Sequence, residues 1–238
     1  VEAGNITRVT VAGKNTTTSY QAKTFIDATG DGDLAALCHV GFDKGRPSDG
    51  YTQPMSMIFK VGGIDFGKVI SYMRQNPEQF ILHKDYKQLD RYLAISGFFD
   101  IVRLAKACGD FNIPRDRILF FQGLHPGEAF INTSRIIKLS GLSSHDQTIA
   151  ETEAARQVEE LLTFFRKYLP GFESSYLAAI ADVTGVRESR RIHGRYTLTV
   201  EDVYEERTSS EGVAVCAFPI DIHDPTGADL QWLRRKQD

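Results

Sequence analysis

The stretch TFIDATGDGDLAAL, Thr24 to Leu37, limits the fold more than any other part of this chain. It reads as a short buried strand at Phe25-Ile26, a Gly-rich turn, and a short helix from Asp33 to His39 that stops at Gly41. Gly30, Gly32 and Ala35 have the G-x-G-x-x-A spacing with which a diphosphate is held at a helix start. That device needs a βαβ unit, with a second strand soon after the helix and an acidic residue at its end. Here residues 43 to 54 are loop-like, and Asp27, Asp31 and Asp33 crowd the turn with negative charge. A helix start that holds phosphate offers backbone N–H groups and a positive dipole end, which carboxylates oppose. The turn is therefore not expected to be the primary diphosphate grip. Asp31 or Asp33 is expected to cap the helix, with Gly30 permitting close backbone approach. An EF-hand reading from Asp27 fails, because Cys38 stands where the bidentate glutamate belongs.

Beyond this turn the strands and helices do not alternate. Ile6 to Val11 and a Thr-rich return to Tyr20 make a hairpin around Gly13-Lys14-Asn15. Met55 to Val61 is a strand, and Phe66 to Gln75 a helix closed by Pro77. Asp85 to Cys108 reads as one or two helices, with Leu89, Tyr92 and Leu93 at helical spacing. Ile118 to Phe121 and Glu128 to Asn132 are strands. Thr148 to Tyr168 is the longest helix, with Ala154, Val158, Leu161, Leu162 and Phe165 on one face and Pro170-Gly171 as its stop. Either Ser144, in a capping box with Gln147, or Asp146 starts it. Ile180 to Val183, Tyr196 to Val200 and Val213 to Ile222 are further strand candidates, with a short helix at Glu201-Asp202. The expected class is α+β (mixed α/β), a mixed or antiparallel sheet with flanking helices.

Composition excludes several functions. A formal charge of -3 gives no basic field for nucleic acid. No apolar run nears the roughly 20 residues of a membrane span, so no membrane partner is expected. Cys38, Cys108 and Cys216 are sparse, without metal-type spacing; they fit a reducing, cytoplasmic setting and no resident metal. The chain starts without Met, almost directly in a strand, and is expected to be a piece of a longer protein.

Two later stretches carry chemistry. Arg187, Arg190 and Arg191 lie within five residues, followed by His193 and Tyr196. On a helical turn the three arginines share a face; on a strand Arg187 and Arg191 oppose Arg190. Guanidiniums suit planar anions, and Glu188 is a candidate orienting partner. In Asp221-Ile222-His223-Asp224, a strand would point Asp221 and His223 the same way. A carboxylate there raises the imidazole pKa or fixes its tautomer. Arg190 and His223 are the candidate catalytic pair; Arg187, Arg191, His193, Tyr196 and Asp221 are candidate substrate ligands. A metal site from His193, Asp221 and His223 has no characteristic spacing.

These stretches carry a resemblance. FIDATGDGDLAAL resembles the second flavin-contacting segment of FAD-dependent oxidoreductases in the glutathione-reductase-like superfamily. It is most similar to the bacterial FAD-dependent oxidoreductase family, distant relatives of fumarate reductase flavoproteins. GVRESRRIHGRYTLTVEDV, Gly185 to Val203, and FPIDIHDPTG, Phe218 to Gly227, are similar to later segments of that family in the same order. The resemblance implies that Ala28, Thr29, Gly30, Asp31 and Gly32 stand near the adenosine half of FAD. It also implies a partial FAD domain over residues 1–45 and a substrate, or cap, domain over 46–238. The family's N-terminal G-x-G-x-x-G and its C-terminal flavin segment have no counterpart here. The expected partners are accordingly a small polar or anionic substrate and the missing N- and C-terminal parts of the same polypeptide, which together would retain FAD where this chain alone would not. A non-redox ligand-binding domain is the alternative reading.

Overall fold

Local sequence signals set most helices, and strand pairing set the rest, in the computed structural model. It describes residues 5–81, 93–210, 212–216, 220–228 and, for the backbone, 230–233. These fall into two compact units. One takes residues 5–50 and 189–216, the other 51–81, 93–188 and 220–233. Antiparallel strands and separate helices make the chain α+β, as its pattern implies.

In the first unit, β1 (Val9–Ala12) and β2 (Thr17–Tyr20) form the expected hairpin, closed by Gly13 N–H donating to the Thr16 carbonyl at 2.8 Å. The Phe25-Ile26 strand does not form: no described strand pairs with it, and Ile26 is exposed. α1 (Asp33–Leu37) follows, but neither Asp31 nor Asp33 caps it. Gly32 takes the cap position with φ 64°, and the acceptors come from upstream. Thr29 Oγ1 accepts from Asp33 N–H at 2.7 Å, and Asp27 Oδ2 from Ala35 N–H at 2.8 Å. β3 (Phe42–Lys44) stands inside the expected loop because it pairs with the distant residues Arg190 to Ile192.

The second unit is built on a five-stranded antiparallel sheet. Its members in chain order are β4 (Phe59–Gly62), β5 (Ala94–Gly97), β6 (Ile118–Gln122), β7 (Ala129–Ile131) and β8 (Tyr176–Ile180). Their spatial order is β5-β6-β7-β4-β8. Alternation buries Phe59, Val61, Phe120 and Ile131, and leaves Phe121 and Phe130 on the opposite, exposed side. The expected helix over Asp85 to Cys108 is corrected in part. Leu89 and Tyr92 lie outside the described residues, β5 occupies 94–97 by pairing with β6, and the helix α3 spans only Phe99–Ala107. β8 lies upstream of the expected Ile180–Val183 strand.

Helices cover the buried side. α2 (Phe66–Gln75) is capped by Asp65, whose Oδ1 accepts from Lys68 N–H at 3.2 Å. α4 (Ser144–Tyr168) is capped by Ser143, not by Ser144 or Asp146. Asp146 instead accepts from Ser140 N–H at 2.9 Å. Phe165 of α4 meets Phe59 of β4 at 6.4 Å between ring centres and Phe172 at 5.3 Å. Each such fully buried side chain stabilises the fold by about 1.5–3 kcal/mol. Gly171 ends the α4 segment with φ 89°, and a Cβ there would stand 2.4 Å from the Asp65 carbonyl oxygen. Glycine alone therefore lets the stop of α4 touch the start of α2.

The remaining elements divide between the units. β9 (Arg190–Ile192) pairs with β3, and α5 (Val200–Tyr204) carries a full capping box from Thr199 and Asp202, so the expected Tyr196–Val200 strand is not formed. β10 (Ile220–His223) pairs with β11 (Leu230–Leu233) in the second unit. Of the expected 213–222 strand, residues 213–216 carry no strand, 217–219 lie outside the described residues, and 220–222 belong to β10. Among the described residues, no helix is long and apolar enough to cross a membrane.

Candidate functional site

A cleft of about 440 Å³ opens in the second unit, lined by Gln53, Ser56, Ile58, Asn132, Arg187 and the pair Asp221 and His223, with Gly185 and Val186 completing the wall. Its volume lies in the range of small-molecule sites. Four pieces of chain assemble it. Met55 pairs with Ile136 and Ser56 with Gly185, both as isolated bridges, so the segments before β4, after β7 and before β9 run side by side. β10 brings Asp221 and His223 to the same place. Their side chains point one way, as strand alternation requires, while Ile222 is exposed on the other side. Gln53 ties the pieces together: its Oε1 accepts from His223 N–H at 3.1 Å, and its N–H donates to Glu188 Oε2 at 2.9 Å.

Behind His223 stands Arg135, which sequence reasoning missed. It is 2% exposed and sits in the turn after β7. Gln157 of α4 holds it in place: the Gln157 amide accepts from Arg135 N–H at 2.7 Å and donates to the Arg135 carbonyl at 2.9 Å. Arg135 then donates to the Asp224 carbonyl at 2.8 Å and meets His223 Nδ1 at 3.1 Å. A guanidinium has only donors, so Nδ1 must be the acceptor. The neutral imidazole therefore carries its proton on Nε2, which faces Asp221 Oδ2 at 3.4 Å. The one available signal for Arg135 was an arginine in the run Ser134-Arg135-Ile136-Ile137, beside apolar residues.

Asp221 acts to raise the His223 pKa, as expected, but is outweighed. Burial comes first, and the cations Arg187, Arg115 and Arg135 add to it; together they outweigh Asp221 and bring His223 down to about 4. Arg115 itself, 5% exposed, donates to the Thr133 carbonyl at 3.2 Å and the Asn132 carbonyl at 3.3 Å. Burial and then the neighbouring arginines lower its pKa to about 9, which leaves it cationic at neutral pH. Arg187 is exposed by area, yet protein crowds its guanidinium, and this desolvation lowers its pKa. The guanidinium donates to Ser56 Oγ at 3.0 Å, while the long stem carries exposed surface.

The sequence candidates thus divide. Arg187, Asp221 and His223 share the cleft. The other four lie in the first unit, each with a partner there. Arg190 donates to the Asp31 carbonyl at 2.9 Å and to Asp33 Oδ1 at 2.7 Å, and lies over the Phe42 ring at 5.3 Å. Arg191 donates to the Gly45 carbonyl at 2.8 Å, and His193 pairs with Asp43 at 3.1 Å. Tyr196 gives its hydroxyl to the buried Asp202, which caps α5. Glu188 Oε2 accepts from Gln53 N–H. Among the described residues no group of three or more His, Cys, Asp or Glu side chains is placed to hold a metal ion.

Residues Ala28 to Gly32 form a turn closed on itself. Asp27 Oδ1 accepts from both Thr29 N–H at 3.0 Å and Thr29 Oγ1–H at 2.6 Å. These bonds, the Thr29 hydroxyl first, hold the Asp27 carboxyl below the usual range. With Asp33 and Ala35 N–H also accepted internally, the carboxylate of Asp27 occupies the place an anion would take. A diphosphate does not fit at this helix start. Around Gly30 the space is open: a Cβ there would meet nothing within 4 Å among the described residues.

The α+β fold thus carries a cleft in which Arg187, Asp221 and His223 come together. A family model narrows this much further: that of the FAD dependent oxidoreductases matches residues 1–237, and the chain belongs to that family. Neither the curated proteins nor the solved structures contain a match to it.

Proposed function

We propose that this chain provides the substrate side of an FAD-dependent oxidoreductase acting on a small polar or anionic molecule. Family membership over 237 residues carries the redox class, and the cleft around Arg187 carries the substrate class. FAD supplies the two-electron chemistry when bound. Its diphosphate is held elsewhere than at the 24–37 turn, where the Asp33 and Ala35 N–H groups are already used. Arg190 keeps that turn in shape through Asp31 and Asp33.

Within the cleft, Arg187 attracts the anionic end of the substrate. His223 works as a neutral hydrogen-bond donor, because with a pKa of about 4 only roughly one molecule in a thousand carries the extra proton at pH 7. It orients Asp221, and Asp221 is the group placed to accept a proton or a hydrogen bond from substrate. The parent polypeptide, purified and saturated with FAD, is expected to show the visible flavin spectrum and to lose it under anaerobic reduction by a suitable donor. If FAD neither binds nor is reduced, the redox reading fails. A non-redox ligand-binding domain then stands, a reading to which the self-capped turn lends support.

A further inference from the structure

The substrate of the cleft can be described more closely, on the reading that the cleft is the substrate site. Two oxygens of its lining side chains, Asn132 Oδ1 and Asp221 Oδ1, are withdrawn from solvent and have no hydrogen-bond partner among the described residues. Buried acceptors are normally paired, so each of them points to a donor brought in from outside. Arg187 stands in the same cleft as the cationic group, with Ser56 Oγ as its hydrogen-bond acceptor among the described residues. Ile58, Gly185 and Val186 add wall without charge.

The donor that enters must also suit the local field. Arg187, Arg115 and Arg135 act together on His223, and the Asp221 carboxylate acts against them. An ammonium group would enter against that positive field, whereas a hydroxyl carries no charge and still donates. We propose that the cleft binds a small hydroxy-carboxylate, its carboxylate on Arg187 and its hydroxyl donating to Asp221, with Asn132 Oδ1 left for a second donor. Asp221, with His223 behind it, is then the residue that distinguishes a hydroxy acid from its deoxy counterpart.

The test needs no flavin. Lactate, propionate and alanine are titrated against the full chain at neutral pH, and binding is read from amide chemical shifts. Lactate is expected to bind about tenfold more tightly than propionate, the worth of one hydrogen bond to a charged acceptor, and more tightly than alanine. Asp221→Leu is expected to bring the lactate-to-propionate ratio to about one, and Arg187→Gln to weaken both acids at least tenfold. Equal binding of lactate and propionate, tighter binding of alanine, or no binding of any of the three would overturn the proposal. If Asp221→Leu does not fold, the wild-type ratios alone decide. A hydroxy-acid preference in a parent protein that never reduces FAD would refute the redox reading and leave this one standing. Flavin reduction without such a preference would do the reverse.

Discussion

Lowering the pH tests the arrangement around His223 directly. At neutral pH the ring is uncharged in both the folded and the unfolded chain. Below about 6.5 the unfolded chain takes up a proton there, while the folded chain, with its pKa at about 4, does not. Stability contributed by the neutral ring is therefore full above about pH 6.5 and falls as the pH drops towards 4. The gap between the two values, at about 1.36 kcal/mol per pH unit, amounts to about 3 kcal/mol. Many carboxylates titrate over the same range, so the measurement is a comparison. Urea unfolding is followed from about pH 7.5 to about pH 4 for the wild type and for His223→Asn. Asparagine keeps a carbonyl oxygen for Arg135 and cannot take a proton. The wild type is expected to lose about 3 kcal/mol more than the variant across the window. Long-range proton–nitrogen spectra should show the ring proton on Nε2. Parallel stability profiles, or a proton on Nδ1, would refute the reasoning that Arg135 and its neighbours hold the ring neutral.

Three further perturbations bear on the supports of the site and the turn. Gln157→Leu strips the amide that pairs both backbone groups of Arg135; with each buried group costing about 1–3 kcal/mol, a loss of about 2–6 kcal/mol in urea unfolding is expected. Gly171→Ala should lower stability by more than about 1 kcal/mol, since it adds a clash with the Asp65 carbonyl to an unfavourable φ of 89°, while Gly109→Ala, with φ 77° and open space, should cost about 1 kcal/mol or less. Asp27→Ala should speed hydrogen exchange at the Thr29 and Ala35 amides, read by mass spectrometry or NMR, because both lose their acceptor.

The candidate site was legible in part, and the division follows chain distance. Asp221 and His223 lie two residues apart on a strand, so their common direction could be read from spacing alone. Arg187 was found as one of an arginine cluster, whose members have different acceptors. Arg187 serves Ser56, Arg190 serves Asp31 and Asp33, and Arg191 serves Gly45. Spacing shows which side chains share a direction; it does not show which remote acceptors will meet them. Arg135 was missed for the same reason, since its partners lie 22 and 88 residues further along the chain.

The sequence by itself determined the elements whose causes are local. The 3.6-residue apolar stripe and its Pro-Gly stop made α4, the turn residues made the β1–β2 hairpin, and the acidic, Gly-rich turn before α1 was recognisable as something other than a phosphate grip. Tertiary structure decided what depends on a partner. Phe25-Ile26 has strand-like residues and no strand beside it in the described residues, whereas Ala94–Gly97, inside an expected helix, became β5 because β6 lies alongside. It likewise decided the charge of His223, because an imidazole's pKa answers to its burial and to every cation around it, and only the folded chain gathers Arg115, Arg135 and Arg187 about one ring.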